Sequence, residues 1–249
     1  SNLYDVDINA DLTILHSTVS SFKKNSLDAY MIGLTKKLHD DVTAAYNSFN
    51  FKLAQQLIYD FCNDQLSSFY CSISKDILYC DAPDSSRRRD IQYCFWAILE
   101  VLLRCLSPIL PHTTDEAYQA LYQNLDLCLA IADSFTLNSS ENLADWTAIL
   151  TTRQDILKRL EEQKSAGIEN SLDAGLVLPQ KLDHLSKFDL NLADFFTVSR
   201  VEFSDVTEIK VTNLSDQARC DRSWKRDSTV KDRGNGIFLS DRDASVLGL

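Results

Sequence analysis

The residues whose spacing could do chemistry lie near the C-terminus, where Cys220-x-x-Ser223 is followed, after 16 intervening residues, by Ser240-x-x-Asp243. A zinc ribbon has this spacing, with two C-x2-C knuckles separated by roughly 15 to 20 residues. Serine hydroxyls are poor zinc ligands, and one thiolate with one carboxylate cannot close a tetrahedral site. We therefore predict a degenerate zinc-ribbon-like C-terminus without metal; a coincidental spacing in a disordered tail is the alternative.

A second candidate is the cationic run Arg87-Arg88-Arg89. It follows a turn-rich stretch and stands at the expected start of a helix, where the positive end of the helix dipole opposes cations. The run is therefore placed for something other than helix stability. Two interpretations stay open: a clamp on a phosphate backbone, or a solvated turn that contributes solubility.

The charge of the chain is unevenly distributed. With 25 basic and 36 acidic residues the net charge is -11, which argues against a generic nucleic-acid binder and against DNA as a partner. Residues 210–249 nevertheless carry eight basic and six acidic residues. Any bound anion is therefore expected at the C-terminus or at the arginine run.

No pattern for catalysis is evident. The sequence contains no GxGxxG, P-loop, HExxH or GxSxG motif, and its four histidines are scattered. We expect no catalytic residue in this chain.

The apolar spacing predicts the elements that position these residues. Residues 26–74 carry two long amphipathic helical stripes, and a third helix is expected from Ser85 or Ser86 to about Leu106. Thr113-x-x-Glu116 has capping-box spacing and is expected to open another helix. A weaker pattern at residues 12–19 completes an antiparallel helical bundle.

The second half changes character. Residues 126–141 look like a linker, and a long helix follows and ends near Gly167. Period-two alternation at 172–178, with β-like runs at 197–203 and 208–212, predicts a small mixed α/β domain. We predict a mainly α chain with domains at 1–130, 131–209 and 210–249. The seven cysteines lack disulfide-type spacing and no long apolar span occurs, so a cytoplasmic protein without a membrane partner is expected.

Several segments together resemble the anticodon-binding region of bacterial-type isoleucyl-tRNA synthetases. In order along the chain they are KDILY at 75–79, DSSRRR at 84–89, LSPILPHTTDEA at 106–117, SLDAGLVL at 171–178, RCDRSW at 219–224 and LSDRD at 239–243. The last two occupy the places of that family's zinc knuckles, although three of the four cysteines are lost.

The resemblance implies a fragment that recognises the anticodon stem and loop of tRNA(Ile), with the catalytic and editing domains of its parent as further partners. ATP and Mg²⁺ would belong to the parent's catalytic domain, and this fragment would use no cofactor and no zinc. Arg88 and Arg89 match the family's arginine pair, and Trp224 offers a stacking face beside cations. The candidate tRNA-binding residues are Arg87, Arg88, Arg89, Arg222, Trp224, Lys225 and Arg226.

Two alternatives remain open. The equivalent region of a valyl- or leucyl-tRNA synthetase shares the helical bundle, although the degenerate knuckles favour isoleucine. A non-catalytic helical protein-interaction module would also suit an acidic bundle rich in aromatic residues.

Overall fold

A computed structural model of the chain describes residues 3, 5–6, 8, 12–122 and 136–249. The chain divides into two compact units: unit 1 combines Ser1–Cys71 with Pro83–Leu143, and unit 2 combines Ser72–Ala82 with Ala144–Leu249. The predicted boundary near residue 130 and most of the predicted linker lie outside the described residues. The division into 1–130, 131–209 and 210–249 stays a prediction.

Unit 1 is helical in its described part. Its elements are α1 (Thr13–Ser20), α2 (Leu27–Asn47), α3 (Phe51–Asp60), a π-helical segment (Phe61–Cys71), α5 (Ser86–Leu106) and α6 (Pro111–Leu121). Helix α5 packs against α1, α2 and α6. It buries a continuous apolar stripe because Cys94, Ile98 and Val101 recur at intervals of four and three residues, and it also buries Trp96 on another side of the helix.

Local sequence sets two helix starts in unit 1. The Ser26 hydroxyl accepts a hydrogen bond from the backbone N–H of Ala29 at 3.1 Å and caps α2. The Asn50 side chain caps α3 in the same way, after Phe49 adopts a left-handed backbone with φ of 57°. This turn separates the two amphipathic stripes that the sequence predicted.

The predicted capping box is wrong. Helix α6 begins at Pro111, with Leu110 at the N-cap position, so Thr113 lies inside the helix and cannot cap it. Proline suits the first helical position because its fixed φ is helical and its missing N–H would have had no partner. Pro111 therefore starts α6, and the helix begins before the predicted start at Thr113.

Unit 2 contains a three-stranded sheet. Strand β1 (Ala174–Pro179) is central, parallel to β2 (Arg200–Ser204) and antiparallel to β3 (Lys210–Asn213). The helices of unit 2 are α4 (Ser72–Cys80), α7 (Thr147–Glu162), α8 (Leu192–Phe196) and α9 (Asp241–Leu247), with 3₁₀ turns at Leu143–Trp146, Gln163–Ala166, Ser171–Asp173 and Gln180–Lys187. Helix α7 ends at Glu162 and continues into the 3₁₀ turn Gln163–Ala166, which Gly167 caps with φ of 93°, close to the predicted end near Gly167.

The C-terminal residues form a small hairpin. Strand β4 (Lys231–Asp232) pairs antiparallel with β5 (Phe238–Leu239), and α9 follows directly. Cys220, Leu239 and Ala244 form a buried cluster against which Val230 packs. We call residues 219–249 the C-terminal segment.

The prediction of a mainly α chain with a small β-containing part is confirmed. Strand β1 overlaps the period-two pattern at 172–178, and β2 and β3 overlap the β-like runs at 197–203 and 208–212. None of the helices in the described part combines the length and apolar character that a membrane span requires.

Candidate nucleic-acid interface

The three consecutive arginines at the start of α5 lie in different environments. Arg87 is exposed, Arg89 is half-buried, and Arg88 is only 5% exposed. Successive side chains on an α-helix point about 100° apart, so three neighbours cannot share one face. The structure therefore does not present Arg87, Arg88 and Arg89 as one cationic surface.

Arg88 is engaged by an acidic partner within unit 1. Its Nη1 donates to Asp5 Oδ2 at 2.5 Å, Gln92 Nε2 donates to Asp5 Oδ1 at 2.6 Å, and Arg89 Nη1 donates to the Asp5 carbonyl at 2.6 Å. The hydrogen bond from Arg88 is the main reason that the pKa of Asp5 lies below its ordinary value. Arg88 thus fastens residue 5 to α5.

The C-terminal candidates lie at a cleft inside unit 2. The cleft has a volume of about 520 Å³ and is lined by α4, residues 170–172, residues 193–198 and residues 222–225. Arg222, Trp224 and Lys225 therefore come together, whereas Arg226 is not among the lining residues.

Trp224 and Tyr79 present aromatic rings at this cleft. Trp224 is 54% exposed and Tyr79 is 62% exposed. Residues 220–224 form a turn, here called the knuckle turn, which closes through a 2.9 Å hydrogen bond from the Trp224 N–H to the Cys220 carbonyl. Trp224 has a left-handed backbone at the end of this turn, with φ of 64°. An exposed indole held by a rigid turn is a surface on which an unstacked base can stack.

Lys225 forms part of the cleft wall and is held by two carboxylates. Its Nζ donates to Asp76 Oδ2 at 3.1 Å and also to Asp194 Oδ1. Burial by itself lowers the pKa of Lys225, but Asp194 and Asp76 outweigh burial and raise the pKa above its ordinary value. The ammonium is therefore charged and positioned, with most of its charge compensated.

Arg222 and Arg226 are also engaged. Arg222 Nη2 donates to the Tyr79 carbonyl at 2.9 Å, which ties the knuckle turn to α4. Arg226 Nε donates to Asp173 Oδ1 at 2.7 Å, and its backbone N–H donates to Ser199 Oγ at 2.7 Å. Arg226 thus stabilises the junction between the C-terminal segment and the sheet.

Sequence reasoning missed Arg219, Lys75 and Tyr79 as site residues. The Arg219 guanidinium lies 5.7 Å from the centroid of the Trp224 ring, within the range of a cation–π interaction. Lys75 and Tyr79 line the cleft from α4. The signal for the α4 residues was present, since both belong to the KDILY segment that carried the family resemblance.

The four knuckle positions meet at one point. Cys220, Ser223 and Ser240 each donate a hydrogen bond to the same oxygen, Oδ2 of Asp243, at 3.0, 2.8 and 2.8 Å. The zinc-ribbon spacing therefore corresponds to a spatial cluster. No group of three or more metal-ligating side chains occurs in the described part of the chain.

Comparison with known proteins identifies the class. A family model described as "Anticodon-binding domain of tRNA ligase" matches residues 28–176. The chain therefore belongs to the family of anticodon-binding domains of tRNA ligases.

The similar proteins are isoleucine–tRNA ligases. That of Petrotoga mobilis is 35% identical over 85% of the chain, and isoleucine–tRNA ligase 1 of Oceanobacillus iheyensis is 30% identical over 99% of it. That of Lactobacillus johnsonii is 34% identical over 73% of the chain. The chain spans 25%, 28% and 20% of the length of these relatives. The predicted resemblance to the anticodon-binding region of isoleucyl-tRNA synthetases is confirmed.

Proposed function

We propose that this chain is the part of an isoleucine–tRNA ligase that recognises the anticodon stem and loop of tRNA(Ile). The parent enzyme would activate isoleucine with ATP and transfer it to this tRNA, with ATP and Mg²⁺ held by a catalytic domain and mischarged products removed by an editing domain. This chain contributes recognition, without a catalytic or editing site, and works in the cytoplasm. We also propose that unit 1 has the family's antiparallel bundle and that residues 210–249 derive from a zinc ribbon.

The observation that carries the proposal is the cleft of unit 2, with Trp224 and Tyr79 exposed beside cations. Sequence-specific RNA reading targets unstacked loop bases through stacking and hydrogen bonds to base edges. Trp224 would stack on such a base, and Arg219, which lies against the same ring, would contact an adjacent phosphate. Lys225 and Arg222 would act at the cleft wall, Lys225 as a fixed ammonium donor to a base edge or phosphate.

The decisive experiment measures binding of the chain to anticodon stem-loops of tRNA(Ile) and tRNA(Val) by fluorescence anisotropy across a salt series. Trp224→Ala should weaken binding to the isoleucine stem-loop by about 1–3 kcal/mol, roughly 5- to 150-fold, because one base loses its stacking partner. Trp224→Phe should retain most of the affinity. Ile237→Ala is the matched control, since Ile237 is 45% exposed in the same segment and does not line the cleft.

The salt series distinguishes a stacking contact from a contact between charges. Trp224→Ala should leave the slope of log K against log salt unchanged, whereas Arg219→Ala should reduce it by about 0.7 to 1. Equal affinity of Trp224→Ala and the unaltered chain would contradict the stacking role. Preference for the valine stem-loop would transfer the proposal to the valyl enzyme, and binding to neither would favour a protein-interaction module.

A further inference from the structure

The oxygen Oδ2 of Asp243 is the centre of a closed hydrogen-bond cluster. It accepts from the thiol of Cys220 and from the hydroxyls of Ser223 and Ser240. Ser240 Oγ also accepts the backbone N–H of Asp243 at 3.2 Å and so caps α9. The Asp243 side chain is fully buried, with 0% exposure. A single carboxylate therefore joins the knuckle turn, the end of β5 and the start of α9.

The other carboxylate oxygen is also satisfied. Arg242 Nη2 donates to Asp243 Oδ1 at 3.2 Å, and Arg222 Nε lies 3.9 Å from it. Burial by itself raises the pKa of Asp243, but the three hydrogen bonds and the charge of Arg242 hold the pKa below its ordinary value. These contacts favour the ionised form of the carboxyl group.

These residues do not fit the zinc ion that the family resemblance implies. A structural zinc site needs four electron-pair donors, normally thiolates or imidazoles, around an empty centre. In this cluster Cys220, Ser223 and Ser240 act as hydrogen-bond donors, and all three donate to an oxygen of the fourth residue, Asp243. A cation at that centre would meet the hydrogens of three donor groups. Of these three groups, only the thiol of Cys220 could lose its proton and bind the cation as a thiolate.

We infer that the Asp243 carboxylate has taken the place of the metal and cross-links the C-terminal segment through hydrogen bonds to Cys220, Ser223 and Ser240. The zinc spacing persists because the same three elements must still meet at one point. Asp76 extends the cross-link to α4, because Arg242 donates to it with Nη1 at 2.6 Å and with Nη2 at 3.0 Å. The knuckle turn that presents Trp224 is therefore held without metal.

The first test uses the unaltered chain, expressed in zinc-supplemented medium. Elemental analysis should find no stoichiometric zinc. A chelator should not change the hydrogen exchange of the amides in residues 219–249. One zinc per chain, with faster exchange of these amides after chelation, would overturn the inference.

The second test compares Asp243→Asn with Asp241→Asn by peptide-resolved hydrogen exchange. Both variants remove one carboxylate from the first turn of α9, but the Asp241 side chain is 62% exposed. The Asp243→Asn side chain has one acceptor oxygen in place of two. Its NH₂ group would either face the three hydrogen-bond donors or face the guanidiniums of Arg222 and Arg242. Exchange in residues 219–249 should therefore accelerate roughly tenfold or more in Asp243→Asn and little in Asp241→Asn. Equal protection in the two variants would overturn the cross-link.

The third test restores the implied ligands by combining Ser223→Cys, Ser240→Cys and Asp243→Cys with the existing Cys220. Four thiols at these positions should bind one zinc per chain and should make the protection of residues 219–249 sensitive to a chelator. This variant keeps the inference testable even where Asp243→Asn unfolds the segment. Failure of the four-cysteine variant to bind zinc would show that the positions do not have knuckle geometry.

Discussion

Replacement of Arg88 by methionine should destabilise unit 1 and leave the salt dependence of RNA binding unchanged. Methionine keeps much of the aliphatic bulk of arginine and removes the guanidinium that donates to Asp5. The side chains of Arg88 and Asp5 are 6% and 19% exposed. A buried charge that loses its partner costs about 3–5 kcal/mol. Asp5 retains some solvent access and the hydrogen bond from Gln92, so we expect about 2–3 kcal/mol.

The assay for this prediction is a double-mutant cycle. Arg88→Met, Asp5→Asn and the double variant would be compared by urea unfolding, with hydrogen exchange of α5 as the readout that is specific to unit 1. Because hydrogen bonds to charged groups contribute about 1.5–3 kcal/mol, the coupling free energy should lie in that range. Arg87→Ala is the matched control, since Arg87 is exposed in the same turn of α5.

The pH dependence follows from the lowered pKa of Asp5. A carboxyl whose pKa is lower in the folded state stabilises the protein above its unfolded pKa, about 3.9, and this stability is lost as the pH falls through the folded pKa. The difference in stability between the unaltered chain and Asp5→Asn should therefore be complete near neutral pH and fade below about pH 4. A loss of salt slope by about one unit in Arg88→Met, with stability within about 0.5 kcal/mol of the unaltered chain, would refute this reasoning.

Two further predictions concern stability. Tyr122→Phe should destabilise unit 1 by about 2–4 kcal/mol, because the buried Glu100 loses the donor Tyr122 and the Trp96 Nε1–H loses an acceptor at 2.6 Å; an unchanged Tm would contradict it. Gly175→Ala should destabilise unit 2 by about 1–3 kcal/mol, because the new Cβ would lie 2.6 Å from Thr212 Oγ1. Adding Thr212→Ala should restore part of the lost stability, as measured by thermal unfolding. If stability does not recover, the contact with Thr212 is not the source of the strain.

The helices and strands could be predicted because they depend on local periodicity. The stripe along α5 recurs at the spacing that buries one helix face, and Leu176 and Leu178 belong to a period-two pattern in the central strand. The start of α6 was predicted wrongly because Thr113-x-x-Glu116 and Pro111 are competing signals within one turn. The fixed φ of proline suits the first helical position, and Pro111 prevailed.

The candidate site could be predicted only in part, because partners distant in sequence decide what each cation does. Nothing near Arg88 in the sequence indicates that Asp5 will accept its guanidinium. Lys225 is likewise paired with Asp76 and Asp194, at separations of 149 and 31 residues. Spacing was more informative for Cys220-x-x-Ser223 and Ser240-x-x-Asp243, because the four spaced side chains do meet, at Oδ2 of Asp243.

The C-terminal concentration of basic residues therefore does not form a surface of eight uncompensated charges. Six of the eight have a carboxylate partner within unit 2: Arg222, Lys225, Arg226, Lys231, Arg233 and Arg242. Among the described ion pairs none involves Lys210 or Arg219, and Arg219 lies against the exposed Trp224 ring. Because paired cations release few counterions, RNA binding by unit 2 should depend weakly on salt, with stacking supplying most of its affinity. Asp76, Asp173 and Asp194 thus hold basic residues of unit 2 in place, so a net charge of -11 is compatible with the proposed RNA-binding role of the cleft.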